Sequence, residues 1–454
     1  MKAVAGTLAF ILAAAAQPVA AAPSAKSAVI EKFVRPYVDT HNFSGVIVVQ
    51  RDGRPVFQRA YGDADRERRI ANRLDTRFHV ASMSMQFTAA AAMRLVDAGR
   101  LSLDTPVSEI VAGYPNGDRI TVRNLLTQTS GIADINALDD YDEALKLHQT
   151  PLSLVNKVKD LPPSRAPGTY KSEEHSAYNL LALIIERKTG VPFAAAVEKL
   201  VFRPLGMSDS GIDDDSIAWA SNMGRGYQPK DLYNIEPADR IHWSGKTGNA
   251  SAFTTAADEL KFVRGIYSGD FLKPASRKLV FDPATPAAYG WFKSDSSRFG
   301  ERVYSMNGRS PGFASALVFL PKQRVAVVAL SNIYASAPGE IAEEIAAIAV
   351  GRPHEPLNLK TAIDQASLAA LPASFRFPAD FYLPDAVVRI AAVNGRVRLE
   401  WPNGRTSALI PTSTDHYVDR SYWMPVEVVR DPGGHVAQLR YGKFVGEPVS
   451  AGAA

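Results

Sequence analysis

The sequence predicts an α+β protein (an α/β sandwich): an antiparallel sheet flanked by helices with a helical insertion domain, plus a small C-terminal all-β domain. Three observations lead there. Strand-like text opens the chain at 43–62 and returns at 303–331; helical text fills the interval and closes it at 341–350; beyond 371 the pattern turns to short alternating runs. Strands drawn from both ends of a segment, with helices between them, make one sheet carrying an insertion rather than a βαβ series.

Each element has its own signal. At 43–62 the β-branched run Val46-Ile47-Val48-Val49 is followed by the tight-turn pair Asp52-Gly53, and Val56 and Phe57 begin a return strand. Residues 88–98 are alanine-rich, with Met93, Leu95 and Val96 at helical spacing and Gly99 as a stop. A strongly apolar helix is expected at 180–188, ending at Gly190, and another at 256–263. Runs at 303–306, 314–320 and 325–331 read as neighbouring antiparallel strands, the last two joined through Pro321-Lys322-Gln323. Past a Pro-containing linker, Asn394-Gly395, Asn403-Gly404 and Gly433-Gly434 punctuate alternating strands, which predicts a meander or barrel.

Composition narrows the function classes. With 454 residues, 46% apolar, the chain is long enough for one large core and a second, smaller one. Lys+Arg 51 against Asp+Glu 47, well mixed, leave a net +4 and no basic stripe, so no nucleic-acid partner is expected. The absence of cysteine excludes disulfides, thiolate metal sites and a cysteine nucleophile. Eight histidines lack His-x-x-x-His or His-x-Glu spacing, so no metal and no cofactor is expected.

Lys2, the apolar run at 3–16 and the small residues from Val19 to Ala22 read as an export signal cleaved near position 21 or 22, placing the protein in the periplasm or outside the cell. A membrane anchor is the competing reading, but the run is too short for the ~30 Å of a bilayer core. No later stretch reads as a span. The expected division is 1–22 signal, 27–352 main domain, 353–370 linker, 371–445 small β domain and 446–454 tail.

Several runs then carry a family resemblance. Phe43-Ser44-Gly45-Val46, Asp75-Thr76-Arg77-Phe78, Ala81-Ser82, Asp97-Ala98-Gly99-Arg100-Leu101-Ser102-Leu103-Asp104, Asn124-Leu125-Leu126-Thr127-Gln128-Thr129-Ser130-Gly131-Ile132, Pro167-Gly168-Thr169 and Pro204-Leu205-Gly206-Met207 occur in order between 30 and 350. Together they resemble the serine β-lactamase and penicillin-binding-protein family, which includes class C β-lactamases, D-alanyl-D-alanine carboxypeptidases, D-aminopeptidases and esterases. Gln128 stands where histidine is usual.

The resemblance implies an acyl-transfer cleft built from Ser-x-x-Lys on a helix, Tyr-x-Asn on a loop, and Lys-Thr-Gly or His-x-Gly on a strand. Here the first element is Ser82-Met83-Ser84-Met85. Methionine keeps the length and helix propensity of lysine but has no basic nitrogen. The second falls on Glu173-Glu174-His175, and the third on Met306-Asn307-Gly308. The lysine, tyrosine, asparagine and third-motif base are all changed, while the scaffold text around them is intact. By the same resemblance, Met85, Met306, Asn307, Gly308 and Arg309 are the residues expected to line a substrate pocket beside Ser82.

The leading expectation is an exported homologue that lacks the usual acyl transfer and binds a small peptide, amide or cell-wall fragment, or a protein partner the sequence does not identify. A second reading keeps catalysis, with Ser82 as nucleophile, His175 as base and Glu173 or Glu174 orienting it. The backbone amides of Ser82 and Arg309 would then form the oxyanion hole. A third is a non-hydrolytic enzyme that reuses the cleft. Lys246-Thr247-Gly248 spells the strand motif but sits in Gly/Ser/Asn-rich loop text. Gly308-Arg309-Ser310-Pro311-Gly312 spells Gly-x-Ser-x-Gly, yet lacks the strand-to-helix context that elbow needs.

Overall fold

Helix α1 (Ala25–Asp39) opens the fold in the computed structural model, which describes residues 25–449 apart from 171–173, 216–221, 231–233, 356–362, 364 and 372. The 1–22 segment read as a signal, Glu173 and part of the 353–370 linker lie outside the described residues. Ile30, Phe33, Val34 and Tyr37 recur at helical spacing on α1 and are its buried face. Strands β1 (Gly45–Arg51) and β2 (Arg54–Tyr61) follow. Their turn holds Asp52 at φ 54° and Gly53 at φ 75°, the paired positive angles of a two-residue hairpin loop.

The helical layer comprises α2 (Ser84–Asp97), α3 (Pro151–Val158), α4 (His175–Thr189) and α5 (Ala256–Ser268), among shorter turns. Thr150 caps α3 with a reciprocal Thr150–Ser153 pair and Pro151 sits in its first turn; Gly190 ends α4 in the left-handed region. The chain then returns through β3 (Ala287–Ala288), β4 (Trp291–Ser296), β5 (Glu301–Ser310), β6 (Phe313–Leu320) and β7 (Val325–Ser331), and closes with α6 (Pro338–Val350).

These strands form one seven-stranded sheet in the order β3-β4-β5-β6-β7-β1-β2, with every neighbour antiparallel. Val328 of β7 faces Val48 on one side and Leu317 on the other, so the two chain ends meet at the middle of the sheet. One hydrophobic cluster fills the space between the sheet and α2, α4 and α5, and a second lies between the opposite face and α1 and α6.

Two boundaries differ from the sequence reading. The helix read at 88–98 starts at Ser84, because Ser84 and Gln86, which break the apolar period, are buried with partners. Ser84 Oγ donates to Ala81 O at 2.7 Å, and Gln86 Nε2 to Glu259 Oε1 at 2.6 Å. The strand read at 303–306 runs from Glu301 to Ser310, since pairing with β6 carries it through the weak strand formers Asn307 and Gly308.

Eight strands between Ala373–Arg376 and Phe444–Pro448 close into a barrel, with Phe375 pairing Pro448 across the seam. The last strand thus reaches three residues past the 445 boundary, into the text read as tail. Aromatics including Phe375, Phe377, Tyr417 and Tyr441 fill the interior. No helix among the described residues is long and apolar enough to cross a membrane.

Candidate active site

Ser82 stands where a strand turns into a helix. Phe78–His79 is extended, Ala81 is held at φ 49°, and a single 3-10 turn (Ala81–Met83) leads into α2. A left-handed alanine costs of order 1 kcal/mol and persists only where its surroundings fix it. They do here: Val80 N donates to Ala252 O at 3.0 Å, Ser315 Oγ to Val80 O at 2.7 Å, and Ala252 N to Ser84 Oγ at 2.9 Å. The corner leaves Ser82 half-buried, with no hydrogen bond from its hydroxyl among the described residues.

Strand β5 supplies the opposing wall. A Cβ placed on Gly308 would come within 2.3 Å of Val80 O and 2.7 Å of Ser82 N, so only glycine lets this strand lie against the serine. Gly308→Ala is therefore expected to push β5 off the Ser82 corner, lowering stability by about 2 kcal/mol through overpacking. Urea unfolding of the pair measures it, and a loss under about 0.5 kcal/mol would contradict the close approach.

Neither amine position holds an amine. Met85 and Met306 are 2% and 4% exposed and belong to the same hydrophobic cluster between sheet and helices. Alternation along β5 puts Met306 and Gly308 on the Ser82 face and Asn307 and Arg309 on the other. This corrects the expectation for those two side chains. Asn307 is exposed, and Arg309 spends its guanidinium on Tyr334 O at 2.8 Å, Ser336 O at 3.1 Å and Ser421 O at 2.7 Å, stitching β5 to the barrel.

His175 begins α4, and its Nδ1 lies 3.0 Å from Asp134 Oδ2. Asp134 is fixed in turn: it caps the 3-10 turn Ile135–Ala137 through Asn136 N, while Ile135 N donates to Ser176 Oγ at 2.8 Å. Glu174 is not the orienting acid. It is buried, accepts from Ser130 N, Ser130 Oγ and Gly131 N at 3.0 Å each, and pairs with Arg165. Asp134 was missed in the sequence; the only signal was its place two residues beyond Ser130-Gly131-Ile132.

The triplet Lys246-Thr247-Gly248 is no strand motif. Lys246 ends a 3-10 turn (Trp243–Lys246), and the chain beyond it is clamped to both cleft helices. Thr88 Oγ1 donates to Gly248 O at 2.7 Å and Asn179 Nδ2 to Thr247 O at 2.7 Å. The Lys246 ammonium lies 4.8 Å from the Tyr141 ring centroid, and burial pushes it down to about 8 against the opposing pull of Asp142 and Asp134. Gly308 to Gly312 runs along β5 into a turn toward β6, so Ser310, buried at 4%, is no nucleophile elbow. Among the described residues no group of His, Asp or Glu is arranged to hold a metal.

Residues 30–351 match the Beta-lactamase family model. A penicillin-binding protein of Bacillus subtilis, PbpX, is 28% identical over 304 residues, covering 65% of this chain and 72% of that protein. The D-aminopeptidase of Brucella anthropi is 27% identical over 336 residues, covering 71% of this chain and 62% of the enzyme. Among solved structures, an octameric penicillin-binding protein homologue from Pyrococcus abyssi superposes with a TM-score of 0.66 at 21% identity, covering 92% of this chain and 99% of that one, a likeness of fold. Sheet, insertion, serine corner and family match together place this chain in the Beta-lactamase family of serine hydrolases.

Proposed function

We propose that this chain is an exported member of the family that has lost lysine-driven acyl transfer and uses the cleft beside Ser82 to bind a small peptide or amide. One observation carries the reading: both amine positions are occupied by buried thioethers, Met85 and Met306. A serine hydroxyl attacks an acyl carbon only if a neighbour accepts its proton, and positioned proton transfer contributes about 10²–10⁴-fold in rate. A thioether accepts none. The intact corner at Ser82 and the glycine contact at 308 keep the shape of a binding site without its base. Export rests on the 1–22 text alone.

A second reading is favoured by the His175–Asp134 hydrogen bond, which is the base-and-orienter half of a serine triad with Asp134 in place of Glu173. One experiment separates the two. Purified protein is incubated with a fluorescent penicillin and a fluorophosphonate probe beside Ser82→Ala, Met85→Lys and His175→Ala variants. No labelling above the Ser82→Ala background is expected, and none from Met85→Lys alone, since the second and third elements are also altered. Labelling that requires both Ser82 and His175 would establish the triad and sink the binding-only account.

A further inference from the structure

Three residues before Ser82 stands a fully buried histidine that neither reading of the cleft uses. His79 is 0% exposed on the two-residue strand Phe78–His79, where it pairs with Phe253. Its ring is stacked on Trp243, with centroids 3.7 Å apart and planes within 5°, and Phe313 lies edge-on at 5.1 Å. Nε2 is 2.9 Å from Asp213 Oδ2, while Nδ1 has no hydrogen-bond partner among the described residues. That pattern fits a neutral ring with its proton on Nε2, since an unmatched lone pair costs less to bury than an unmatched cationic N–H. The charged groups facing the ring are Asp213 in contact and Asp215 behind it. Asp215 Oδ2 is in turn shared by Nδ1 of His148 at 3.3 Å and of His242 at 3.2 Å. Burial holds the His79 imidazole below its ordinary value, with Asp213 and Asp215 pulling the other way.

The cover of this ring and the serine corner share one segment. Trp243, 8% exposed, is the outer ring of the stack and opens the 3-10 turn Trp243–Lys246. The chain from there reaches Ala252, whose O accepts from Val80 N at 3.0 Å and whose N donates to Ser84 Oγ at 2.9 Å. Ala81 lies between those two contacts, and its φ of 49° depends on them.

We propose that His79 is an acid-operated release for the Ser82 corner: proton uptake at Nδ1 lifts Trp243 off the imidazole and slackens the 243–252 segment, so the corner is firm at neutral pH and loosened in acid. The proton comes from solvent and returns to it when the stack recloses. The sign follows from burial. An opened ring titrates at about 6.5 and the closed one lower, so the opened state binds the proton first and opening grows as pH falls below that value. The device concerns the shape of the corner and holds under either reading of the cleft.

The test is amide hydrogen exchange of the full chain from pH 7.5 to 5.0, corrected for the intrinsic rate, in wild type, His79→Gln and His79→Asn. Either amide side chain can donate to Asp213 and neither titrates. Wild-type protection at 79–84 and 243–252 is expected to fall about tenfold or more across that range, while α6 on the opposite face of the sheet stays level. The variants should show no such selective fall; a histidine with a packing role alone would leave the wild-type profile as flat as theirs. Parallel profiles for wild type and a folded variant, or a wild-type fall that α6 shares, overturns the device. If neither variant folds, the wild-type comparison of 243–252 with α6 decides it alone.

Discussion

Trp423→Ala is expected to destabilise the protein by about 3–5 kcal/mol and to split its unfolding into two transitions. Trp423 belongs to the barrel by sequence but to the main domain by packing. It is 7% exposed, its ring lies 5.3 Å from that of Tyr37 on α1, and it shares a cluster with α1, α6 and one face of the sheet. Its backbone stands at φ 55°, so the loop bends to deliver the ring. Arg420 beside it is 1% exposed, donating to Asn42 Oδ1 at 3.0 Å and His41 O at 3.3 Å. Deleting the indole removes the largest apolar side chain that the barrel contributes to this joint and leaves Ile410 and the hydrogen bonds of Arg420 and Arg309 to hold it. Calorimetry with urea unfolding measures the effect. A single transition shifted by less than about 1 kcal/mol would show that the barrel does not depend on this side chain for docking.

Glu259→Gln is expected to stabilise the protein progressively as pH rises, by about 5 kcal/mol at pH 9 and by almost nothing near pH 4. Glu259 on α5 is fully buried, its Oε1 takes the 2.6 Å hydrogen bond from Gln86, and its Oε2 has no hydrogen-bond partner among the described residues. Burial pushes its carboxyl up to about 8, with Asp258 adding to the rise and the Gln86 hydrogen bond opposing it. The folded value lies above the unfolded one of about 4.3, so the unfolded chain gives up this proton first. Stability is whole below pH 4.3 and declines as pH climbs through 8. Glutamine keeps the acceptor for Gln86 and never ionises, so it escapes that decline. Urea midpoints at pH 4, 7 and 9 decide it: parallel profiles for the two proteins would mean that Glu259 is ionised in the fold. The position matters to the cleft because Gln86 follows Met85 on the helix that presents Ser82.

Much of this architecture was legible in the residues. Val46 to Val49 with Asp52-Gly53 specify a hairpin locally, and 325–330 is a short, valine-rich apolar run that suits a strand buried on both faces. The run Ser82-Met83-Ser84-Met85 and its second methionine were equally plain, since helix i, i+3 spacing needs no partner to interpret. Other readings failed where a long-range contact overrode a local signal. Ser84 and Gln86 argue against a helix until Ala81 O and Glu259 satisfy them. Asn307 and Gly308 argue against a strand until β6 pairs with them.

The sequence by itself determined the fold class, the order of the elements, the family resemblance and the loss of the basic nitrogen at position 85, because each depends on near neighbours along the chain. Only the tertiary structure decided which acid meets His175, which face of β5 carries Arg309, and that the Lys246 ammonium lies over the Tyr141 ring. Those facts join residues 41, 112 and about 100 positions apart, and no local periodicity encodes which distant side chains a packed core will bring together.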